Sequence, residues 1–278
     1  MGFLYFHENQ LTYPAQTPRE WDHHFVFTNF TSALAADRVV FNSEFHRETF
    51  LGALPGFLRK IPEYKPMWVI DEIRAKCTCI FPGCRFGGGP ETPPDRITER
   101  PLVVWNHRWE FDKDPDAFFR AIDTIDDQGI PFDLALLGEN FQKVPKPFLA
   151  ARERYGNRIK VYGYVEDRAE YYDWLAKGSV VVSTALQENY GISVIEAIRK
   201  GCFPLLPRRL SYPEILPSQF HEASLYDDEE ELVEKLASAL SGTIPISRPY
   251  LSEAMAQYSW DHLGPVYDQF LAEIVGQS

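Results

Sequence analysis

Short β-branched and aromatic runs alternate along this chain with longer stretches whose apolar positions recur every three or four residues. That is the pattern of a parallel sheet with crossover helices. Near the start it predicts strands at 3–7 and 39–41. Between them a helix should run from a capping box at Thr17, Pro18 and Glu20 to about Ala36. Ser43 is placed to cap the next helix, which carries Phe45, Phe50 and Leu51. The stretch 62–80 has no clear period, and 78–81 reads as one further strand. Residues 82–94 hold Gly87, Gly88 and Gly89 with Pro82, Pro90, Pro93 and Pro94, the composition of a linker.

After the linker the rhythm restarts. Strands are predicted at 102–105, 132–137, 159–162, 179–183 and 203–206, and helices near 116–127, 146–154, 168–176 and 191–200. Asp167 with Glu170 caps one helix, and Gly201 closes another in the left-handed conformation. Further helices fall at 228–240 and 261–275. The fold class expected is α/β, with 1–81 a reduced domain, 82–98 a linker and 99–258 a complete Rossmann-like domain. Residues 259–278 should form a helix packing back on the first domain. Two well-marked strands in the first 81 residues are few for an independent domain, as if it began midway.

The 278 residues carry 28 Lys and Arg against 40 Asp and Glu, a net charge of −12, so the chain is not a general nucleic-acid clamp. A local basic stretch remains at Lys143, Lys146, Arg152, Arg154, Arg158 and Lys160; it reads first as a solvated helix face and second as an RNA backbone contact. No apolar run approaches the roughly 20 residues that span a bilayer. The N-terminus lacks the basic and apolar regions of a secretion signal, so a cytoplasmic protein is expected. Cys77, Cys79 and Cys84 form a cluster without a nearby His or a paired C-x2-C spacing, so reduced thiols are expected rather than zinc. His23 and His24 are adjacent and point different ways on a helix, which argues against a metal pair. No metal or other cofactor is expected, and the oligomeric state is left open.

The most informative stretch is 183–197, where a buried strand ends, a polar loop turns and a helix starts near Gly191. Unpaired amides at a helix start form a seat for phosphate, and glycine lets the backbone approach a ligand closely. Glu188 precedes the helix and Glu196 lies in its second turn. Two carboxylates flanking an anion seat suit a ligand with hydroxyls on both sides of a diphosphate, which describes a nucleotide sugar.

Glu188 to Glu196 resembles the E-x7-E motif of retaining GT-B glycosyltransferases, particularly family 4. The run Val103-Val104-Trp105-Asn106-His107-Arg108-Trp109-Glu110-Phe111-Asp112-Lys113 looks like the opening strand and loop of that family's donor domain. The resemblance implies that Arg108 and Lys113 bind the donor diphosphate, and that Asn189, Tyr190, Gly191 and Ile192 offer backbone contacts to phosphate or sugar. Glu188 can accept from sugar hydroxyls and Glu196 can reach a ribose, and the resemblance places His7 near the reacting sugar; Glu8 reads either as orienting His7 or as capping the turn. Residues 4–14 and 35–47 are similar to the glycosyltransferase-like group that includes tRNA-queuosine mannosyltransferases. That similarity implies a metal-independent hexosyl transfer from GDP-mannose, with queuosine in tRNA as a possible acceptor. The strand, Gly-rich loop and βα units that open such an acceptor domain are absent, which keeps open a non-catalytic nucleotide-sugar-binding or partner-binding module. A Rossmann oxidoreductase ranks low, because no G-x-G-x-x-G follows an early strand.

Overall fold

The computed structural model describes residues 2–14, 23–87, 99–139, 144–243 and 248–276. The expected capping box at Thr17, most of the linker, Lys143 and the side chain of His23 lie outside the described residues. The chain divides into two compact units. The first comprises Met1–Gly83, Gln187–Tyr190 and Trp260–Ser278, and the second Cys84–Leu186 and Gly191–Ser259. Gln187–Tyr190, which the sequence division placed inside 99–258, thus groups with the first unit.

In the first unit the chain runs β1 (Phe3–Phe6), α1 (His23–Ala35), β2 (Arg38–Phe41), α2 (Glu44–Leu58), α3 (Val69–Ala75) and β3 (Cys77–Cys79). The strands pair in parallel, in the order β1-β2-β3. Val39, Phe41, Phe50, Leu54 and Ile73 form its buried core. Ser43 caps α2 by accepting from the amide of His46 at 3.0 Å. Two expectations need correction here. Helix α3 was not foreseen, because seven residues are too few to display a helical period. The third strand starts at Cys77, one residue early, and ends at Cys79: Cys77 and Cys79 pair with Val39 and Phe41, so sheet register overrides local composition.

The second unit continues with β4 (Leu102–Asn106), α4 (Pro115–Asp127), β5 (Asp133–Leu137), α5 (Lys146–Tyr155), β6 (Ile159–Gly163), α6 (Arg168–Lys177), β7 (Val180–Val182), α7 (Ile192–Arg199) and β8 (Phe203–Pro207). Then come α8 (Tyr212–Ile215), α9 (His221–Ser224), β9 (Leu225–Tyr226), α10 (Glu229–Leu240) and α11 (Arg248–Ala254). The sequence pattern missed α8, α9, β9 and α11, again because each is too short to carry a period. The sheet is parallel throughout, in the order β6-β5-β4-β7-β8-β9. This is the doubly wound order whose direction of winding reverses at the first strand, here β4. Carboxylate caps start three helices: Asp114 accepts from Ala117 N, Asp167 from Ala169 N and Asp228 from Glu231 N. Gly201 is left-handed at φ 100°, as expected after a helix end.

The last helix, α12 (Trp260–Gly276), belongs to the first unit. Phe270 meets Phe3 edge-on at 5.5 Å, and the Tyr267 hydroxyl donates to the Phe81 carbonyl at 3.1 Å. Among the described residues no helix is long and apolar enough to cross a membrane.

The second unit is centred on Trp105 of β4, which is fully buried against Phe118 and Phe148. Trp105→Ala should therefore cost about 3–5 kcal/mol in urea or guanidinium unfolding. A loss below about 1 kcal/mol would contradict this packing.

Candidate functional site

In a doubly wound sheet, ligands bind outside the C-terminal ends of the strands where the winding reverses. The second unit has a cavity of about 550 Å³ at that place. Asn106, His107 and Arg108 line it from the end of β4, Leu137 and Gly138 from β5, and Ile192 and Glu196 from α7. Its floor depends on Gly138, where any Cβ would lie 1.9 Å from the carbonyl oxygen of His107. Gly191 is the N-cap of α7 at φ 99°, a conformation that favours glycine, and no side chain caps the helix. The first amides of α7 therefore remain available to an anion, beside the exposed Ile192.

The two expected cations part company. Arg108 is half exposed at the cavity and lies 3.2 Å from Glu110. Lys113 is buried in the turn before α4, with its Nζ 3.2 Å from a fully buried Asp112. The Asp112–Asp114 turn is fastened to the segment after β7: Leu186 N donates to Asp112 O at 2.8 Å, and Thr184 Oγ1 donates to Lys113 O at 2.8 Å. His107 is buried beside Lys113. Burial first and the lysine charge second push its pKa down to about 3, so the ring is neutral. Its Nε2 and the Asn106 Oδ1 are buried without a protein partner among the described residues, on side chains that line the cavity. A polar ligand would relieve that cost.

Glu196 is almost buried and is held by Arg168, Tyr171 and Tyr172, all on α6. Burial raises its pKa, and the three hydrogen-bond donors with the Arg168 charge oppose that rise. Asn106, His107, Asp112, Arg168 and the two tyrosines were not singled out in the sequence. Arg168 and its neighbours stand 24–28 residues from Glu196, so no local motif links them.

The remaining expected residues fall in the first unit. His7 follows β1 and is exposed, with its ring 4.7 Å from that of Tyr5. Its carbonyl accepts from Asn42 Nδ2 at 2.9 Å and from Asn189 Nδ2 at 3.4 Å. The fold thus brings His7 and Asn189 together across 182 residues. Ser43 Oγ donates to Asn189 O at 2.5 Å, and Tyr190 stacks on Phe81. Glu188 is half-buried, and its Oε1 accepts from the amide of Tyr190 at 3.3 Å, so that amide is turned to the carboxylate. Beneath lies a buried relay. Asn9 Nδ2 donates to His46 Nε2 at 2.8 Å, and His46 Nδ1 donates to Asn42 Oδ1 at 2.7 Å. His46 is consequently neutral, and burial pushes its pKa down to about 4. Among the described residues no three His, Cys, Asp or Glu side chains are grouped to hold a metal ion.

Comparison with known proteins places this geometry. A family model described as glycosyl transferases group 1 matches residues 93–258. A second, described as tRNA-queuosine alpha-mannosyltransferase N-terminal, matches residues 2–84. A tRNA-queuosine alpha-mannosyltransferase of Drosophila melanogaster is 34% identical over 241 residues, covering 84% of this chain and 63% of that protein. The chain therefore spans less than two thirds of this relative's length. Among solved structures, the sucrose-phosphate synthase of Thermosynechococcus elongatus aligns with a TM-score of 0.72 at 15% identity, over 99% of this chain and 68% of that one. A glycosyltransferase from Rickettsia africae aligns at 0.65 and 15% identity, over 99% and 71%. The fold is of the GT-B class, as the sequence resemblance implied.

Both buried histidines predict acid sensitivity. Their folded pKa values lie below the ordinary 6.5, so as pH falls the unfolded chain takes up protons first. Stability should be intact above pH 6.5 and fall progressively towards pH 4 for His46 and pH 3 for His107. Urea unfolding across this range should show the fall, and His46→Gln should flatten its upper part. An unchanged slope in that variant would contradict a neutral His46.

Proposed function

The chain belongs to the group 1 glycosyl transferase family, and on that premise we propose that it moves a hexosyl group, mannose, from GDP-mannose to an acceptor with retention at the anomeric carbon. The observation that carries this reading is the cavity at the end of β4, bounded by Arg108, Glu196 and the uncapped start of α7. Breaking the sugar–phosphate bond builds negative charge on the departing diphosphate. Fixed donors aimed at that charge stabilise it by several kcal/mol. Arg108 and the α7 amides are assigned that role, with Lys113 contributing from its buried position beside Asp112. In this reading they do the work that a divalent cation does elsewhere, and transfer proceeds without one. Glu196 takes the ribose hydroxyls. Glu188 and His7 take the sugar and help position the acceptor, with Asn189 fixing the loop on which Glu188 stands.

The acceptor assigned is queuosine in tRNA, and the setting the cytoplasm. Support for the acceptor comes from the 2–84 match and from the name of the Drosophila relative. A second reading is a module that binds a nucleotide sugar or a partner without transferring the sugar. Slow hydrolysis of GDP-mannose, lost in Glu188→Ala or His7→Ala, distinguishes the enzyme from the module.

GDP or GDP-mannose at millimolar concentration should raise the melting temperature in chelator-treated buffer, since a ligand that binds only the folded state stabilises it. At a hundred times its Kd the gain is about 2.7 kcal/mol. Glu188→Ala should preserve the GDP shift and lower sugar transfer. No shift with GDP, UDP or ADP sugars would overturn the donor assignment.

A further inference from the structure

Glu196 is held more firmly than contact with a ligand hydroxyl requires. Its Oε1 accepts from Arg168 Nη2 at 3.1 Å and from the Tyr172 hydroxyl at 3.0 Å. Its Oε2 accepts from the Tyr171 hydroxyl at 3.2 Å, and a carboxylate oxygen can accept a second bond. Arg168 Nε in turn donates to the Tyr172 oxygen at 2.9 Å.

The same tyrosine reaches the segment at which the second unit begins. The Tyr172 hydroxyl is hydrogen-bonded to the carbonyl of Arg85, and Arg168 Nη2 donates to that carbonyl at 3.4 Å. A phenol has one proton, so a strong bond from Tyr172 to Glu196 comes at the expense of the one to Arg85. Gly87 lies against the Tyr172 ring at φ 63°, where an added Cβ would stand 2.4 Å from Cδ2. The guanidinium of Arg199, on α7, lies 5.7 Å from the centre of the Phe86 ring. Residues 85–87 are thus packed on the helices that carry the cavity's carboxylate.

We propose that Tyr172 and Arg168 are positioning residues for the nucleotide sugar, and that the single Tyr172 proton couples the state of Glu196 to the docking of residues 85–87. When Tyr172 donates to Glu196, Oε1 is fully engaged and Oε2 is left to accept a hydroxyl of the ligand. When it donates to Arg85, the carboxylate loses one of its anchors. This rests on the reading of the cavity as a donor site. The charged and titratable groups facing Glu196 are Arg168, Tyr171 and Tyr172 on α6 and Lys200 at the end of α7. Three of them donate hydrogen bonds that favour its anionic form, so removing one raises its pKa further.

The test is GDP binding by calorimetry between pH 5 and 9, on the whole chain and on Tyr172→Phe, which keeps the ring and removes the hydroxyl. Affinity should fall about ten-fold at pH 7, with the acid limb of the binding profile moved to higher pH. Gly87→Ala leaves every donor to Glu196 in place but forces residues 85–87 off the ring, which leaves the Tyr172 proton to Glu196, so it should move the profile in the opposite direction. Hydrogen exchange at residues 85–87 should quicken when GDP binds to the wild type, as Tyr172 leaves Arg85 for Glu196, and change less in Tyr172→Phe. If Tyr172→Phe melts early, the Gly87→Ala profile decides alone. Wild-type binding with both variants within about two-fold of it, and an unmoved acid limb, overturns the coupling and leaves the donor site standing. Absence of GDP binding in the wild type overturns the donor site and this inference with it.

Discussion

Every strand of the second unit points the same way, and that constraint governs the rest. It delivers all the C-terminal ends to one edge, so the loops after β4, β5, β6 and β7 arrive together. Because the winding reverses at β4, the adjoining loops diverge and leave a crevice. Gly138 permits the loop after β5 to come against the backbone of His107, and left-handed Gly191 turns the chain into α7 with its first amides uncapped by a side chain. The cavity is therefore a consequence of topology plus two glycines, and its chemistry comes from what stands around it. Buried polar atoms on Asn106 and His107, a half-exposed Arg108 and a clamped Glu196 suit a polar, anionic occupant such as the one proposed.

The first unit solves a different problem, that of fixing a short strand end. His7 lies beyond the last residue of β1, where the sheet no longer constrains it. Its carbonyl is held by Asn42, and Asn42 is held by His46, which is held by Asn9. A protonated His46 would present a donor to the donor of Asn9, which is why burial and hydrogen bonding agree on the neutral ring. Asn189 joins the same carbonyl, and Ser43 grips the backbone of Asn189, so the loop carrying Glu188 shares this support.

Much of this was legible in the amino-acid order. The long strands of the second sheet announce themselves by continuous β-branched runs, and the passage ending in Glu196 shows by its spacing the strand–loop–helix turn that the structure has there, with Gly191 at the N-cap. What escaped has physical reasons. Helix α3 and strand β9 are too short to show a period. Lys113 reads in the sequence as one of two loop cations beside the donor diphosphate, yet the turn after Glu110 buries it beside Asp112. The clamp on Glu196 comes from a different helix, and no local pattern joins residues 24 or more positions apart. The relay beneath His7 likewise depends on Asn9, Asn42 and His46, which only the folded sheet brings into line.

The central claim is that the α7 amides and the end of β4 together hold the diphosphate of a nucleotide sugar. Hydrogen–deuterium exchange of the whole chain with and without GDP tests it most directly. The account predicts that GDP slows exchange at residues 106–108 and at the first turn of α7, Ile192 to Val194. Slowing confined to other parts of the chain, with these amides unchanged while GDP is bound, would contradict it.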